Sequence, residues 1–555
     1  MYIKVLYRKF DCPILPFRPT TTIAVTFPSS TFKNSLSMSS VTIIHSIAVT
    51  ALLIIIAFAI LKGIYNVFFH PLSAIPGPWY AAASDLWLTT HVIRLEQCKI
   101  VQSLFERYGP IVRVGPNKVF FNDLTSTKSI YSVHKFDKSE YYKSLVTNNN
   151  DHAMTTLEHA PHSVRRKGYA PHYVPANLAK FQPEMHEPML ELVNNVTNIG
   201  GKASIECLTL FRNLMVDVLV STSYGYRIHA VKKWATDNED PLSTAISDFP
   251  KRGILRSVVP SWAWNVVCRI PVARWRQLCD SDKIMAEFVS ERVYQARTEI
   301  NSGRLDESSE TTPLLHRLLK HRYSSTGQMM PDSDIISEAM GHMIAGSDTS
   351  SISLSYFLWE LSRRPDVAAK LQTELDEAMP NAHVIPDISV LQSLPYLNAF
   401  IKEGLRIYSA APSPLERVVP QSSTKSSEGF DLMGFELPPG TVVATQAWSM
   451  HRNETIFPSP DTFSPERWLE TDQPGSAERL ARMQQNMMPF GTGSRVCGGQ
   501  NLAQIMLKVM VAAMARNFDV VAPAETNEKS MDIKDSFVIF PSAMECKLIF
   551  NPRSL

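Results

Sequence analysis

Phe490-Gly-Thr-Gly-Ser-Arg-Val-Cys497-Gly-Gly499 places one thiol, one guanidinium and four glycines within ten residues. A thiolate binds a metal only when it is deprotonated and kept from bulk water. An apolar-periodic stretch, 498–517, begins directly after Cys497, so a helix N-terminus would offer N–H groups and positive dipole to the sulfur. The glycines let the chain turn tightly and approach a flat ligand. Phe490 can shield the sulfur, and Arg495 can pair with a carboxylate of the ligand. A lone Cys-Gly would read as a buried cysteine beside a turn; the ten-residue pattern reads as a metal–thiolate loop. The other cysteines, Cys12, Cys98, Cys207, Cys268, Cys279 and Cys546, are widely spaced with no CxxC pair, and read as small buried hydrophobes.

Four further groups carry charge or hydroxyls in suggestive spacing. Glu403-Gly-Leu-Arg406 puts an acid and a base on one helix face at i, i+3. Alone this is a common surface ion pair; Phe463-Ser-Pro-Glu-Arg467-Trp468 downstream offers a second cation for it. Ala345-Gly346-Ser347-Asp348-Thr349-Ser350 lies within a long helical pattern, where a glycine costs roughly 1 kcal/mol against alanine and so calls for a reason. His162-Ser-Val-Arg165-Arg166 and Pro412-Ser-Pro-Leu-Glu-Arg417 supply further cations, which by themselves would be solvated charges.

Taken together these motifs resemble the cytochrome P-450 family, the haem-thiolate monooxygenases. Their haem loop, Phe-x-x-Gly-x-Arg-x-Cys-x-Gly, is matched at Phe490, Gly493, Arg495, Cys497 and Gly499. The resemblance implies haem b with Cys497 as axial iron ligand; thiolate ligation favours O–O cleavage. It implies a buried triad of Glu403, Arg406 and Arg467 that locks the loop. It implies a local widening of the helix at Gly346, with Thr349 hydrogen-bonding dioxygen and Asp348 relaying protons. Arg495, Arg166 and Arg417 would hold the haem propionates. His162 stands where the family usually has Trp, and would share that contact. Electrons would come from NADPH through a separate reductase, NADPH–cytochrome P-450 reductase, with cytochrome b5 as an optional donor, since the chain has neither a flavin-type GxGxxG after a strand nor a cysteine cluster for iron–sulfur.

The elements that must position these groups are mainly helical. A helix is predicted over 333–364, about 32 residues and roughly 48 Å, with Asp332 as N-cap and Pro365 just past its end. Another is predicted near 390–408, and one after Cys497 with Leu502, Ile505, Met506, Val509 and Met510 on its apolar face. Leu208, Phe211, Met215, Val218 and Leu219 mark a further apolar helix. Residues 108–122 alternate around Gly115-Pro116-Asn117 as strand, turn, strand. Irregular Pro-rich stretches fall at 410–440 and 456–475. The fold class is mainly α with minor β: the cytochrome P-450 fold, a triangular helical prism with small sheets, plus one N-terminal transmembrane helix. The distal side is expected to include His342, Met343, Ala345 and residues 410–414. A lid is expected from 135–158 and from 240–280 with Trp262 and Trp264, giving an apolar pocket for a hydrophobic substrate.

Residues 41–61 contain no Asp, Glu, Lys or Arg, and as a helix reach about 31 Å, the thickness of a bilayer core. The resulting domain organisation is a leader at 1–37, a transmembrane anchor at 38–62, a Pro-rich hinge at 63–80 and a haem-thiolate catalytic domain at 81–555. Lys4, Arg8, Lys9, Arg18 and Lys33 would hold the N-terminus in the cytosol and send the body to the lumen. A start at Met38 removes that conflict and leaves the body cytosolic at the endoplasmic reticulum membrane. Residues 1–37 are then an artefact of gene prediction or a cleaved leader; a transit peptide is the alternative. The chain has 555 residues, 45% hydrophobic and 19% charged, with a net charge of +2. That excludes disorder as the main state and gives no electrostatic case for nucleic acid. The expected function is oxygen insertion into an apolar small molecule, by hydroxylation or epoxidation, in fungal secondary metabolism (terpenoid, polyketide or alkaloid). The alternatives are a haem-thiolate isomerase or dehydratase, which the Asp348–Thr349 pair argues against, and a non-catalytic haem-binding protein.

Overall fold

β-Branched and Leu-rich sequence with Lys62 as its one charge makes α1 (Met38–Phe68) a single helix, of which His45–Phe68 is long and apolar enough to cross a membrane. It runs seven residues beyond the apolar stretch marked by composition, through residues assigned to the hinge, and the first proline, Pro71, opens a 3-10 turn at Pro71–Ala74. The computed structural model describes residues 38–236, 241–259, 261–303, 311–323, 326–421 and 429–554. The leader expected at 1–37, with Cys12, lies outside the described residues. Two compact units divide at Leu61 and Lys62.

Within 62–555 the helices that matter for chemistry are α2 (His159–Tyr169), α3 (Cys207–Tyr224), α4 (Pro241–Val258), α5 (Ala273–Asn301), α6 (Asp332–Arg363), α7 (Pro395–Ile407) and α8 (Gln500–Asn517). The mainly α architecture with small sheets is as expected. Helix α3 is almost wholly buried, including the five apolar residues that marked it. It packs antiparallel along α6: Arg212 meets Asp348, and twelve residues later Tyr224 donates to the Ala339 carbonyl (3.4 Å).

Helix α6 is rich in serine yet buried. Its hydroxyls are satisfied by back-bonding along the helix, as Ser347 to Met343 O (3.0 Å) and Ser355 to Ser351 O (2.8 Å). Small side chains let α3 approach closely. Gly346 is the extreme case, since a Cβ there would lie 2.8 Å from Leu219 Cδ2. Helix α6 runs unbroken through Gly346, and there Leu219 of α3 occupies the space a Cβ would need. Asp332 is the first helical residue rather than the cap, which is Pro331.

Leu394-Pro395 breaks the helix expected near 390–408 into Ile388–Ser393 and α7. The open N–H groups of Tyr396 and Leu397 are met by Glu374 Oε1 and Oε2, both at 2.8 Å. The strand–turn–strand at 108–122 is present as β1 (Ile111–Gly115) and β2 (Lys118–Phe121). With β3 (Arg417–Val418) and β4 (Val442–Ala444) they form a sheet of order β1-β2-β4-β3, in which β2 and β4 are parallel. The stretch 410–440, read as irregular, thus contains β3 and a small hairpin, Phe430–Leu432 with Phe435–Leu437.

Where α7 crosses α6, Gly404 faces Phe357, and a Cβ would sit 2.3 Å from its Cε1. Gly404→Ala is expected to overpack this crossing and lower stability by about 1–3 kcal/mol. A urea-unfolding midpoint equal to that of the wild type would show that the crossing can relax.

Candidate active site

Glu403 and Arg406 on α7 are both fully buried. Arg406 donates Nε to Glu403 Oε2 (2.9 Å) and Nη2 to Oε1 (2.8 Å), a bidentate pair. Arg467 Nε adds 2.9 Å to Oε1, and Trp468 Nε1 adds 2.9 Å to Oε2. The backbone N–H of Ser464 supplies a fifth bond, at 3.0 Å. A buried carboxylate is tolerable only when its lone pairs are used in this way.

From this cluster the bonding continues to the loop. Arg406 Nη1 donates to the His451 carbonyl (2.9 Å), and the His451 ring joins the Arg406 carbonyl at Nδ1 (3.0 Å). Its Nε2 accepts the Met488 N–H at 2.8 Å, just ahead of Pro489-Phe490. These partners assign Nδ1–H and a bare Nε2. Burial pushes the His451 imidazole down to about 3, so it is neutral. Nothing in the sequence around His451 marked it; its partners are 45 and 37 residues away.

The loop itself closes where Cys497 N–H donates to the Phe490 carbonyl (2.9 Å). Phe490 is half-buried and packs against the main core. Helix α8 begins at Gln500, two residues later than expected, with Gly499 as its N-cap. The Gly499 N–H still reaches the sulfur. Burial pushes the Cys497 thiol up, opposed by that N–H and by Arg166. Of the six described cysteines only Cys497 is exposed; Cys268 is half-buried and the others are buried. Cys497 is thus accessible although enough protein surrounds it to raise its thiol. The glycines serve the protein more than a ligand: at Gly493 (φ +69°) a Cβ would meet Tyr131 O at 2.1 Å, and at Gly498 it would meet Tyr169 Cε2 at 2.7 Å.

A cluster of cations lies beside the loop. Arg417 is buried, donates Nη1 to the Glu416 carbonyl (2.8 Å) and stacks 4.8 Å from the Tyr131 ring. Lys138, which sequence reasoning missed, bridges to Arg417 along the edge of β3 and donates Nζ to Met154 O (2.6 Å). Arg495 donates to Thr156 O (2.9 Å) and Leu157 O (2.6 Å), leaving a buried Nε with no partner. Arg166 on α2 donates Nη1 to Val496 O (2.7 Å), next to Cys497. His162, one turn earlier, is buried.

Among the described residues none of these four cations pairs with a carboxylate. Glu416 is taken by Lys118 at 2.8 Å and by Ser139, and Asp137 accepts from His159 N–H at 2.8 Å. The crowding of positive charge registers in Lys138, Arg495 and the neighbouring His162. Burial, then Arg417 and Arg495, push the Lys138 ammonium well below its usual value. Burial and Arg417 push Arg495 down to about 10. Burial, Arg495, Lys138 and Arg166 push His162 down to about 2, so it is neutral. Uncompensated buried charge costs several kcal/mol per ion unless an anion joins it. A flat ligand with two carboxylates on one edge and a metal at its centre fits this donor set, and haem is such a ligand.

On α6, Thr349 Oγ1 donates to Ala345 O (2.7 Å). Asp348 is held by Arg212 Nε at 2.6 Å on the α3 side. Ala345 is exposed midway along a helix that is otherwise mostly buried. Of the two expected distal-side neighbours on α6, His342 shares a face with Ala345, three residues on, and Met343 does not. His342 packs on Tyr169 (4.6 Å) and meets Tyr173 Oη at 3.0 Å, and Met343, about 200° around the helix from Ala345, is in the core. In 410–414 only Ala410 and Ala411 are half-buried; the remainder is buried.

Arg406→Ala would leave Glu403 buried without its bidentate partner, costing about 3–5 kcal/mol. The purified variant is expected to lack haem, and wild-type haem content would refute the role. The pH dependence has a definite sign. His451 is near 3 when folded against an ordinary imidazole value of 6.5, so the unfolded chain takes up its proton first. Its contribution is full above pH 6.5 and is lost as pH falls toward 3, at roughly 1 kcal/mol per pH unit. In His451→Gln the fall in stability between pH 6.5 and 5 is expected to be shallower by that amount; an unchanged slope would contradict the neutral, buried assignment.

The family profile of cytochrome P-450 matches residues 76–548. Cytochrome P-450 monooxygenase cypX of Dothistroma septosporum is 28% identical over 492 residues, covering 87% of this chain and 91% of the relative. Cytochrome P-450 monooxygenase hkm5 of Aspergillus hancockii is 29% identical, covering 86% and 91%. Cytochrome P-450 monooxygenase aflV of Aspergillus parasiticus is 29% identical, covering 88% and 93%. The match spans the thiolate loop, the buried triad and the cation cluster alike, and the chain belongs to the cytochrome P-450 family.

Proposed function

We propose that this chain is a membrane-anchored haem-thiolate monooxygenase that inserts one oxygen atom of O2 into an apolar small molecule, by hydroxylation or epoxidation. The single observation that carries the reading is Cys497: the one exposed cysteine among the described residues, beside the Gly499 N–H and a group of four cations with no carboxylate partner among the described residues. Cys497 would bind the iron of haem b, and Lys138, Arg166, Arg417, Arg495 and His162 its carboxylate edge; the group supplies reductive activation of dioxygen and oxygen transfer.

The chain's own residues supply protons, orientation and dryness. Thr349 spends its hydroxyl hydrogen on Ala345 O. A rotation about χ1 would free that hydrogen for an acceptor in the space beside Ala345. Asp348 sits one residue away and is the proton source in this reading. It must leave Arg212 to take that part, so the 2.6 Å ion pair sets a resting position from which delivery starts. Ala345, Ala410 and Ala411 leave room for substrate with little to hydrogen-bond, which suits an apolar molecule. The relatives are fungal monooxygenases, which supports the expectation of a terpenoid, polyketide or alkaloid substrate.

Two features support a membrane site. One is the apolar length of His45–Phe68. The other is the run after α4, where Trp262 (83%), Val266 (68%) and Val272 (54%) are exposed, as suits a lid segment resting in a bilayer surface. The lid reading of Trp262 and Trp264 fits this place, between α4 and α5. With the body on the cytosolic face of the endoplasmic reticulum, NADPH–cytochrome P-450 reductase is the electron donor, and cytochrome b5 an optional one.

Thr349→Ala is the test. Haem content is expected to be unchanged, while product formed per NADPH falls several-fold and peroxide rises in its place. Unchanged coupling would remove Thr349 from the mechanism.

A further inference from the structure

Between α7, α8 and the start of the thiolate loop lies a cavity of about 280 Å³. Its floor is apolar, with Leu405, Met487 and Phe490. Its rim carries Lys402, Lys508 and Gln504, and none of its lining residues is acidic. Lys402 lies 6.0 Å from the centre of the Trp468 ring, and neither lysine ion-pairs with a described residue. Lys508 is half-buried, and burial with the nearby Lys402 pushes its ammonium below the usual value. The amide of Gln504 makes no hydrogen bond to the described residues, so a donor beside the two ammonium groups is also available.

Two ammonium groups over an apolar floor define a ligand with one anionic head and a short apolar body. The volume sits just under the lower end of the range for small-molecule sites, about 300–1,000 Å³. We propose that this cavity binds a small amphiphilic carboxylate, with the head between Lys402 and Lys508 and the alkyl chain on Leu405, Met487 and Phe490. Phe490 also forms the wall of the thiolate loop, and its carbonyl takes the Cys497 N–H at 2.9 Å. An occupant therefore presses on the residue that steadies the sulfur, and it covers ground next to the loop's outer face. The binding claim does not depend on the oxygenase reading, since it concerns lysines and apolar side chains outside that site.

The test is calorimetric titration of decanoate into the full-length holoprotein in non-ionic detergent, with the substrate side first saturated by a tight imidazole-type inhibitor. One-site saturable binding is expected. It should weaken about tenfold or more in Lys402→Glu/Lys508→Glu, on the scale of losing two partly exposed ion pairs, with haem content unchanged. Decanol, which lacks the charged head, should bind at least tenfold more weakly than decanoate. Absence of saturable binding, equal binding by the double variant, or equal binding of decanol would each overturn the proposal. So would a double variant that loses only its affinity for the reductase, which would make the two lysines part of a protein-docking face.

Discussion

A carboxylate without water holds the sulfur in place. Glu403 is fully buried and is kept there by five donors from α7 and from the segment around Arg467. Each donor belongs to backbone or side chains that would otherwise move independently. Arg406 then spends its remaining N–H groups on His451 and Thr462 carbonyls, and His451 passes the constraint to Met488 N–H. From Met488 it is two residues to Phe490, whose carbonyl closes the loop on Cys497. The loop's geometry is thus fixed from behind by charge, and its sulfur faces forward. A neutral hydrophobic core at Glu403 would pack as well, but it would not tie three separate segments to one point.

The second constraint is the reverse of the first. At Glu403 the charges are matched within the protein; around Arg495 they are not. Lys138, Arg166, Arg417 and Arg495 converge from four distant parts of the chain and find only carbonyl oxygens. Bringing them together costs electrostatic energy that an anionic ligand returns on binding. If these cations hold the carboxylates of haem, as proposed, loading with haem and stability of the fold would be coupled through this region.

Local patterns were legible, and non-local ones were not. The thiolate loop occupies ten consecutive residues, so its chemistry could be read directly, as could the i, i+3 pair on α7. The span near the N-terminus was readable because uncharged length alone defines it. Lys138 escaped notice because it is 279 positions from Arg417, and only the edge of β3 brings the two side by side. His451 escaped for the same reason. At Asp348 and Thr349 the positions were readable, but the Arg212 partner required the antiparallel packing of α3 on α6. At Gly346 the sequence shows a glycine in a helix, but its close neighbour, Leu219 on α3, is known only from the packing of the two helices.

The central claim is that Cys497, in its deprotonated form, is the axial ligand of a haem. The reduced, carbon-monoxide-bound difference spectrum of the purified full-length protein tests it most directly. The strongly red-shifted Soret band that thiolate ligation produces is expected in the wild type and absent in Cys497→Ser. An imidazole-type band, or no haem at all in well-folded wild-type protein, would contradict the account.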